Sequence, residues 1–190
     1  MTTLWIGMLL FFAAHLTPMT PLRPRLVAAM GEQRYAGAFS LISLAGLVVI
    51  IWGYGLAKDS AAGAAFVYEP PAWGWHITML LTLLAFVSLA ISFHKGRLKL
   101  WLKNPMSIAV ALWSAGHLFA NGTLPDVVLF GAFLAFSLLD IAWCTATGKA
   151  PSFEPKPRHD IIAPVAGVIL FAVFLYLHAW IIGVSAFPAA

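Results

Sequence analysis

The residues best suited to chemistry in this sequence are histidines lodged in apolar surroundings. Six histidines occur in 190 residues. Four of them, His15, His76, His117 and His178, fall inside or at the ends of long apolar runs. An ionisable side chain in such a place is costly, and marks a functional candidate by default. A plainer role stands beside it: each imidazole hydrogen-bonds across helices and does nothing more. Two neutral imidazoles turned toward each other inside a helical bundle can hold a haem iron. Two imidazoles near a membrane face can share a hydrogen bond, hold a second metal, or line an entry for a lipid-like or quinone-like molecule.

The elements that must position them are apolar runs at 4–16, 36–57, 73–93, 105–121, 124–144 and 161–183. At about 20 residues per crossing, six spans use roughly 120 residues and leave short loops. Prolines 18, 21 and 24 follow the first run, so 17–35 reads as a bent connection lying on the surface. Pro105 suits the first turn of a helix. Asn121-Gly122 is a turn signal. The chain is 62% hydrophobic and only 9% charged, with a mean hydropathy of +0.91. A soluble domain carries about 25% charged residues, and one of this size could not hide so much apolar surface. The expected fold is all-α, a single integral membrane domain over 1–190 built as a bundle of about six transmembrane helices.

Depth separates the histidines. At 1.5 Å per residue, His117 lies about 18 Å from the start of its span, and His15 roughly 20 Å from the start of the first. On the same rise, His76 and His178 fall within about 5 Å of the opposite face from the basic loops. The chain therefore offers an inner pair, His15 and His117, and an outer pair, His76 and His178. The surroundings of the inner pair suit a flat macrocycle. Ser114, Ala115 and Gly116 are small and leave room beside His117. Phe11, Phe12 and Phe119 can wall the space, and Arg23, Arg25 and Lys95 can meet propionates. Retention of basic loops on the cytoplasmic side explains those cations equally well.

Several classes are excluded or weakened. The net charge of +4 rests on only 11 Lys and Arg in short loops, which argues against a nucleic-acid partner. Cys144 has no second cysteine to pair with and reads as packing. The first run lacks a basic n-region and a cleavage site, so it is not read as a cleaved signal peptide. Phosphate loops, CxxC, HExxH and a defensible Ser/His/Asp grouping do not occur. Asp140 reads as the only acidic residue inside a span, near its cytoplasmic end, which weakens a small-solute transporter.

The stretch Trp113-Ser114-Ala115-Gly116-His117-Leu118-Phe119-Ala120-Asn121-Gly122, with Asn104-Pro105-Met106 before it and Leu129-Phe130-Gly131 after it, resembles the NnrU family of bacterial membrane proteins. So do Phe12-Ala13-Ala14-His15 with Leu22-Arg23, and His178-Ala179-Trp180 with Gly183-Val184-Ser185. The resemblance spans nearly the whole chain. It implies a link to nitrite and nitric oxide reduction, and similarity to the haem-dependent zeta-carotene isomerase. That enzyme's haem-binding histidines fall on His15 and His117. Its cysteine three residues before the second histidine is Ser114 here, and its Arg-His-Pro-Met stretch is Lys103-Asn104-Pro105-Met106. The implied protein binds haem b in the bacterial inner membrane and is redox-active, isomerase-like, or a support for nitrogen-oxide reductases. Its partners are then the bilayer and either a hydrophobic small molecule or reductase components. A cofactor-free assembly or scaffold protein is the rival.

Loop charge predicts topology. The loops after spans one, three and five hold Arg23, Arg25 and Arg34, then Lys95, Arg97, Lys99 and Lys103, then Lys149, Lys156 and Arg158. The loop after span two holds Lys58 alone, and the loop after span four has none. Both termini therefore face the periplasm. A C-terminal alkaline phosphatase fusion should be active. An inactive fusion, with an active cytoplasmic reporter at the same site, reverses the orientation.

Overall fold

A computed structural model describes residues 1–187. Nine α-helices are described: α1 (Thr2–Leu16), α2 (Leu22–Met30), α3 (Glu32–Lys58), α4 (Ala61–Ala64), α5 (Gly74–Phe93), α6 (Arg97–Leu102), α7 (Pro105–Ala120), α8 (Leu124–Ala146) and α9 (His159–Ile182). An apolar helix stands at each of the six expected runs. Five regions are long and apolar enough to cross a membrane, the first being α1 extended through the Thr17–Met19 turn; the others are α3, α5, α8 and α9. The sixth, α7, is apolar but has 16 residues. At the helical rise it measures about 24 Å, short of a 30 Å hydrocarbon core. The connection after α1 is bent as its prolines require: Pro18 opens the 3₁₀ turn, and Pro21 caps α2. Gly31, at φ +85°, then separates α2 from α3, a conformation open to glycine and costly for other residues.

The chain forms two compact units. The first is residues 1–67 with 123–125. Its centre is the antiparallel pair α1 and α3. Gly7 faces the backbone at Val49 and Ile50, Gly46 faces Phe11, and Gly53 faces Leu4. Leu4 is fully buried. In lipid, apolar side chains gain nothing by leaving water, so helices associate through close backbone approach at small residues. Those glycines make that approach possible.

The second unit is 68–122 with 126 onward. Here α5 packs against both α7 and α9. Polar pins mark both ends of the α5–α7 contact. The Thr78 hydroxyl donates to the Gly116 carbonyl at 2.7 Å, and the Ser88 hydroxyl donates to the Pro105 carbonyl at 2.8 Å. The α5–α9 contact closes over Gly167, where a Cβ would stand 2.5 Å from the Val87 Cα. Phe86 rests beside Phe171 and Phe174. The helix α6 stands where the sequence pattern shows only a basic loop. Six residues are too few for a visible period, and its cap is remote: the Leu98 N–H donates to Asp160 Oδ1 at 3.0 Å. Between α6 and α7 the Asn104 N–H reaches the Leu102 carbonyl at 2.6 Å. Lys103 at φ +60°, ψ −50° completes a tight turn of the strained, positive-φ kind.

The glycine contact yields a direct test. In Gly46→Ala the new Cβ would lie 2.7 Å from the Phe11 backbone nitrogen. The helices must part, costing about 1–3 kcal/mol as overpacking does. A lower melting temperature in detergent is expected, with Gly55→Ala, where a Cβ meets open space, as the silent control.

Candidate functional site

One local geometry recurs at the histidines. The Nδ1 of His15 donates to the Phe11 carbonyl at 2.8 Å, and the Nδ1 of His117 donates to the Trp113 carbonyl at 2.8 Å. A carbonyl only accepts, so Nδ1 carries the proton and Nε2 carries the lone pair. That is the tautomer of a histidine that ligates through Nε2, with the other nitrogen fixed by the protein. Ring packing fixes orientation further. His15 stacks on Phe11 with centroids 4.0 Å apart, beside Phe39 at 5.1 Å. His117 stacks on Phe130 at 4.7 Å, and Trp113 tilts against it at 5.1 Å. Among the described residues, the Nε2 of His117 has no hydrogen-bond partner.

His15 belongs to the first unit and His117 to the second. The short length of α7 changes the meaning of the 18 Å estimate. His117 lies in the last turn, about 5 Å from the helix end. The carbonyls of this last turn run out of helical donors, and the chain closes them: the Asn121 backbone N–H donates to the His117 carbonyl at 2.9 Å. The Gly116 carbonyl accepts from Thr78, the His117 carbonyl accepts from the Asn121 side-chain amide at 2.9 Å, and the Leu118 carbonyl accepts from the Tyr68 phenol. The phenol reaches the Asn121 carbonyl too, at 2.9 Å. Burial first, and the charge of Asp126 second, hold the Tyr68 hydroxyl above its ordinary pKa, so it stays a donor.

The other sequence candidates fall as follows. Ser114 is fully buried, and its hydroxyl has no partner among the described residues. Gly116 serves the α5 contact: a Cβ there would stand 3.1 Å from the Leu81 Cβ. Arg23 pairs with Glu32 at 2.7 Å and lies over the Tyr35 ring, while Arg25 is exposed. Within the second unit, α5 begins where α7 and α9 end, so His76, His117 and His178 share one end. His76 lies against Trp75 at 3.8 Å, and His178 donates from Nδ1 to the Val184 carbonyl at 2.7 Å. His178 and Asp126 are electrostatic neighbours of His117. Among the described residues, no group of three or more His, Cys, Asp and Glu is placed to hold a metal ion. An apolar cavity of about 430 Å³ opens at this end, between Tyr68, Pro71 and Trp73 on one side and Ala115, Phe119 and Leu134 on the other.

Two polar features lie outside the candidates that the sequence pattern offers. Asp126, in the first turn of α8, is 1% exposed, so Asp140 is not the only acidic residue in a span. The readable signal was Thr123-x-x-Asp126, the spacing of a helix-start box. The second is a polar knot where α7 begins. Asp140 Oδ2 accepts from Asn104 Nδ2 at 2.6 Å and from the Ser107 hydroxyl at 2.5 Å. Asn104 Oδ1 caps α7 through the Ser107 N–H at 3.3 Å. The Cys144 thiol donates to Asp140 Oδ1 at 3.8 Å. The knot ties Asn104-Pro105-Met106 to α8, so its role is positioning.

Long apolar helices, joined by short loops and carrying histidines in the ligating tautomer, define a polytopic α-helical membrane protein with candidate imidazole ligands. Within that class, a family model described as NnrU protein matches residues 3–186, and the chain belongs to the NnrU family. No curated protein and no solved structure matches it.

The knot gives a prediction. Asp140→Ala leaves the Ser107 hydroxyl without an acceptor and the Asn104 amide with only the weak Cys144 Sγ acceptor at 3.5 Å, at about 1–3 kcal/mol for a buried donor left unpaired. Asp140→Asn retains an acceptor and should recover part of the loss. Melting in detergent measures both, and equal stability of Asp140→Ala and the parent chain removes the knot as a structural element.

Proposed function

We propose that this NnrU-family protein binds haem b in the bacterial inner membrane, and that His117 and His15 are the residues that would hold it through Nε2. The observation that carries the reading is the bond from each Nδ1 to a carbonyl one turn back. It removes the proton from the ligating nitrogen and fixes the ring before any ligand arrives. The donor set fits haem iron, since two neutral imidazoles supply two nitrogen ligands. The partnerless Ser114 hydroxyl, one turn from His117, fits a buried polar group of a bound molecule. When bound, haem b supplies one-electron chemistry at its iron.

The chain's own residues do the rest. The Trp113 carbonyl and the Phe130 ring hold His117 in one orientation. Phe11 and Phe39 do the same for His15. The apolar cavity beside Phe119 suits a hydrophobic small molecule. The activity on this reading is redox or isomerase-like, or a support for nitrite and nitric oxide reduction. Basic loops face the cytoplasm.

An absorbance spectrum of the detergent-purified protein tests it. The parent chain should show a Soret band. His117→Ala and His15→Ala should each lose haem occupancy about tenfold or shift the band strongly, while His94→Ala should not. If both variants keep the parental band and full occupancy, His117 and His15 are not the ligands. A parent chain that takes up no haem on reconstitution favours the cofactor-free scaffold.

A further inference from the structure

The second unit carries a concentration of positive charge that its fold builds and its own side chains do not neutralise. Two segments far apart in sequence form it, 94–103 and 149–160. The Lys156 N–H donates to the Lys95 carbonyl at 2.7 Å. The Lys95 N–H donates to His159 Nδ1 at 3.0 Å, and the His94 and His159 rings meet edge to face at 5.3 Å. Asp160 caps α6, and Gly96 lets the backbone close against its carboxylate. The side chains of Lys95, Arg97, Lys103, Lys156 and Arg158 are all exposed. Among the described residues, none of the five makes an ion pair or a side-chain hydrogen bond. Lys99 is spent on the Ser92 carbonyl and Lys149 on the Trp143 ring. The nearby carboxylates are Asp160, engaged at α6, and Glu154, which lines a cavity of about 540 Å³ with Lys156 and Arg158.

Retention of basic loops on one side requires only that the cations be there. It does not require them to be gathered on a stitched scaffold. Scattered cations and a fixed cluster differ in what they recognise. A fixed cluster meets a multiply coordinated anion without first ordering its own backbone, and so binds it more tightly. Large apolar side chains flank the cluster: Phe93 is 73% exposed, Trp101 74% and Ile161 72%. A cationic shelf above exposed apolar surface complements an amphiphile with an anionic head and hydrocarbon tails.

We infer that the shelf formed by Lys95, Arg97, Lys103, Lys156 and Arg158 is a binding site for the phosphodiester headgroup of an anionic phospholipid. The lipid's chains lie along Phe93, Trp101 and Ile161. Its phosphate lies between the two stitched segments. Juxtamembrane cations attract anionic lipid in this way, each contributing a roughly fivefold gain in affinity.

Native mass spectrometry on the full chain in detergent, with phosphatidylglycerol or phosphatidylcholine added at equal concentration, tests the site. Phosphatidylglycerol should be retained and phosphatidylcholine lost. The double variant Lys156→Gln/Arg158→Gln should retain phosphatidylglycerol about twenty-five-fold less, as two lost cations require. These side chains are exposed, so folding is unaffected, and the melting temperature checks it. The double variant Arg25→Gln/Arg34→Gln, which removes as much charge from the first unit, should retain lipid normally. Equal loss in both double variants reduces the effect to net charge and overturns the site. So does equal retention of the two lipids, or displacement of phosphatidylglycerol by millimolar inorganic phosphate, which would make the shelf a site for a free anion. Capture of an acidic protein with no lipid preference overturns it as well.

Discussion

A hydrocarbon surrounding offers no hydrogen bonds, and that constraint shapes the whole molecule. Each backbone N–H and C=O must find a partner inside the chain. Long helices satisfy the interior of each span. The ends remain, and there the side chains do the work: Thr78, Asn121 and Tyr68 close the last carbonyls of α7, while Asn104 and Asp160 close the starts of α7 and α6. The same constraint sends polar side chains within the helices back to a carbonyl one turn earlier, as at Ser137 and Thr145. His15, His94 and His117 obey it too. In a serine this habit only silences a hydroxyl. In a histidine it selects a tautomer and leaves the second nitrogen basic. In the proposed haem site, the device that makes an imidazole tolerable in lipid is the device that would prepare it as a ligand.

The departures from that habit are informative for the same reason. Tyr35, Ser43, Thr82 and Ser114 bury hydroxyls that have no partner among the described residues. A buried hydroxyl without a partner is costly. Ser114 lies on α7, a turn before His117.

Much of the fold was legible because its signals are local. Apolar runs located five spanning helices and the shorter α7, which Pro105 and Asn121-Gly122 bounded closely. The Nδ1 bond of His117 is local as well, since its acceptor stands four residues back on the same helix. What was not legible depends on partners remote in sequence. Asp160 caps α6 from 62 residues away, and Asp140 reaches Asn104 across 36. Gly116 reads as room beside a ligand until α5 is seen against it. Arg23 reads as a free cation until the chain turns at Gly31 and brings up Glu32. Composition located the helices. The pairings that lock them needed the fold.

Electron paramagnetic resonance of the oxidised, detergent-purified protein tests the central claim most directly, because it reports the atoms bound to iron. Ligation by both imidazoles would give a low-spin ferric signal, present in the parent chain and converted to high spin when either His117 or His15 is removed. A parent chain whose iron is high spin, or whose low-spin signal persists unchanged in both variants, contradicts ligation by these two histidines.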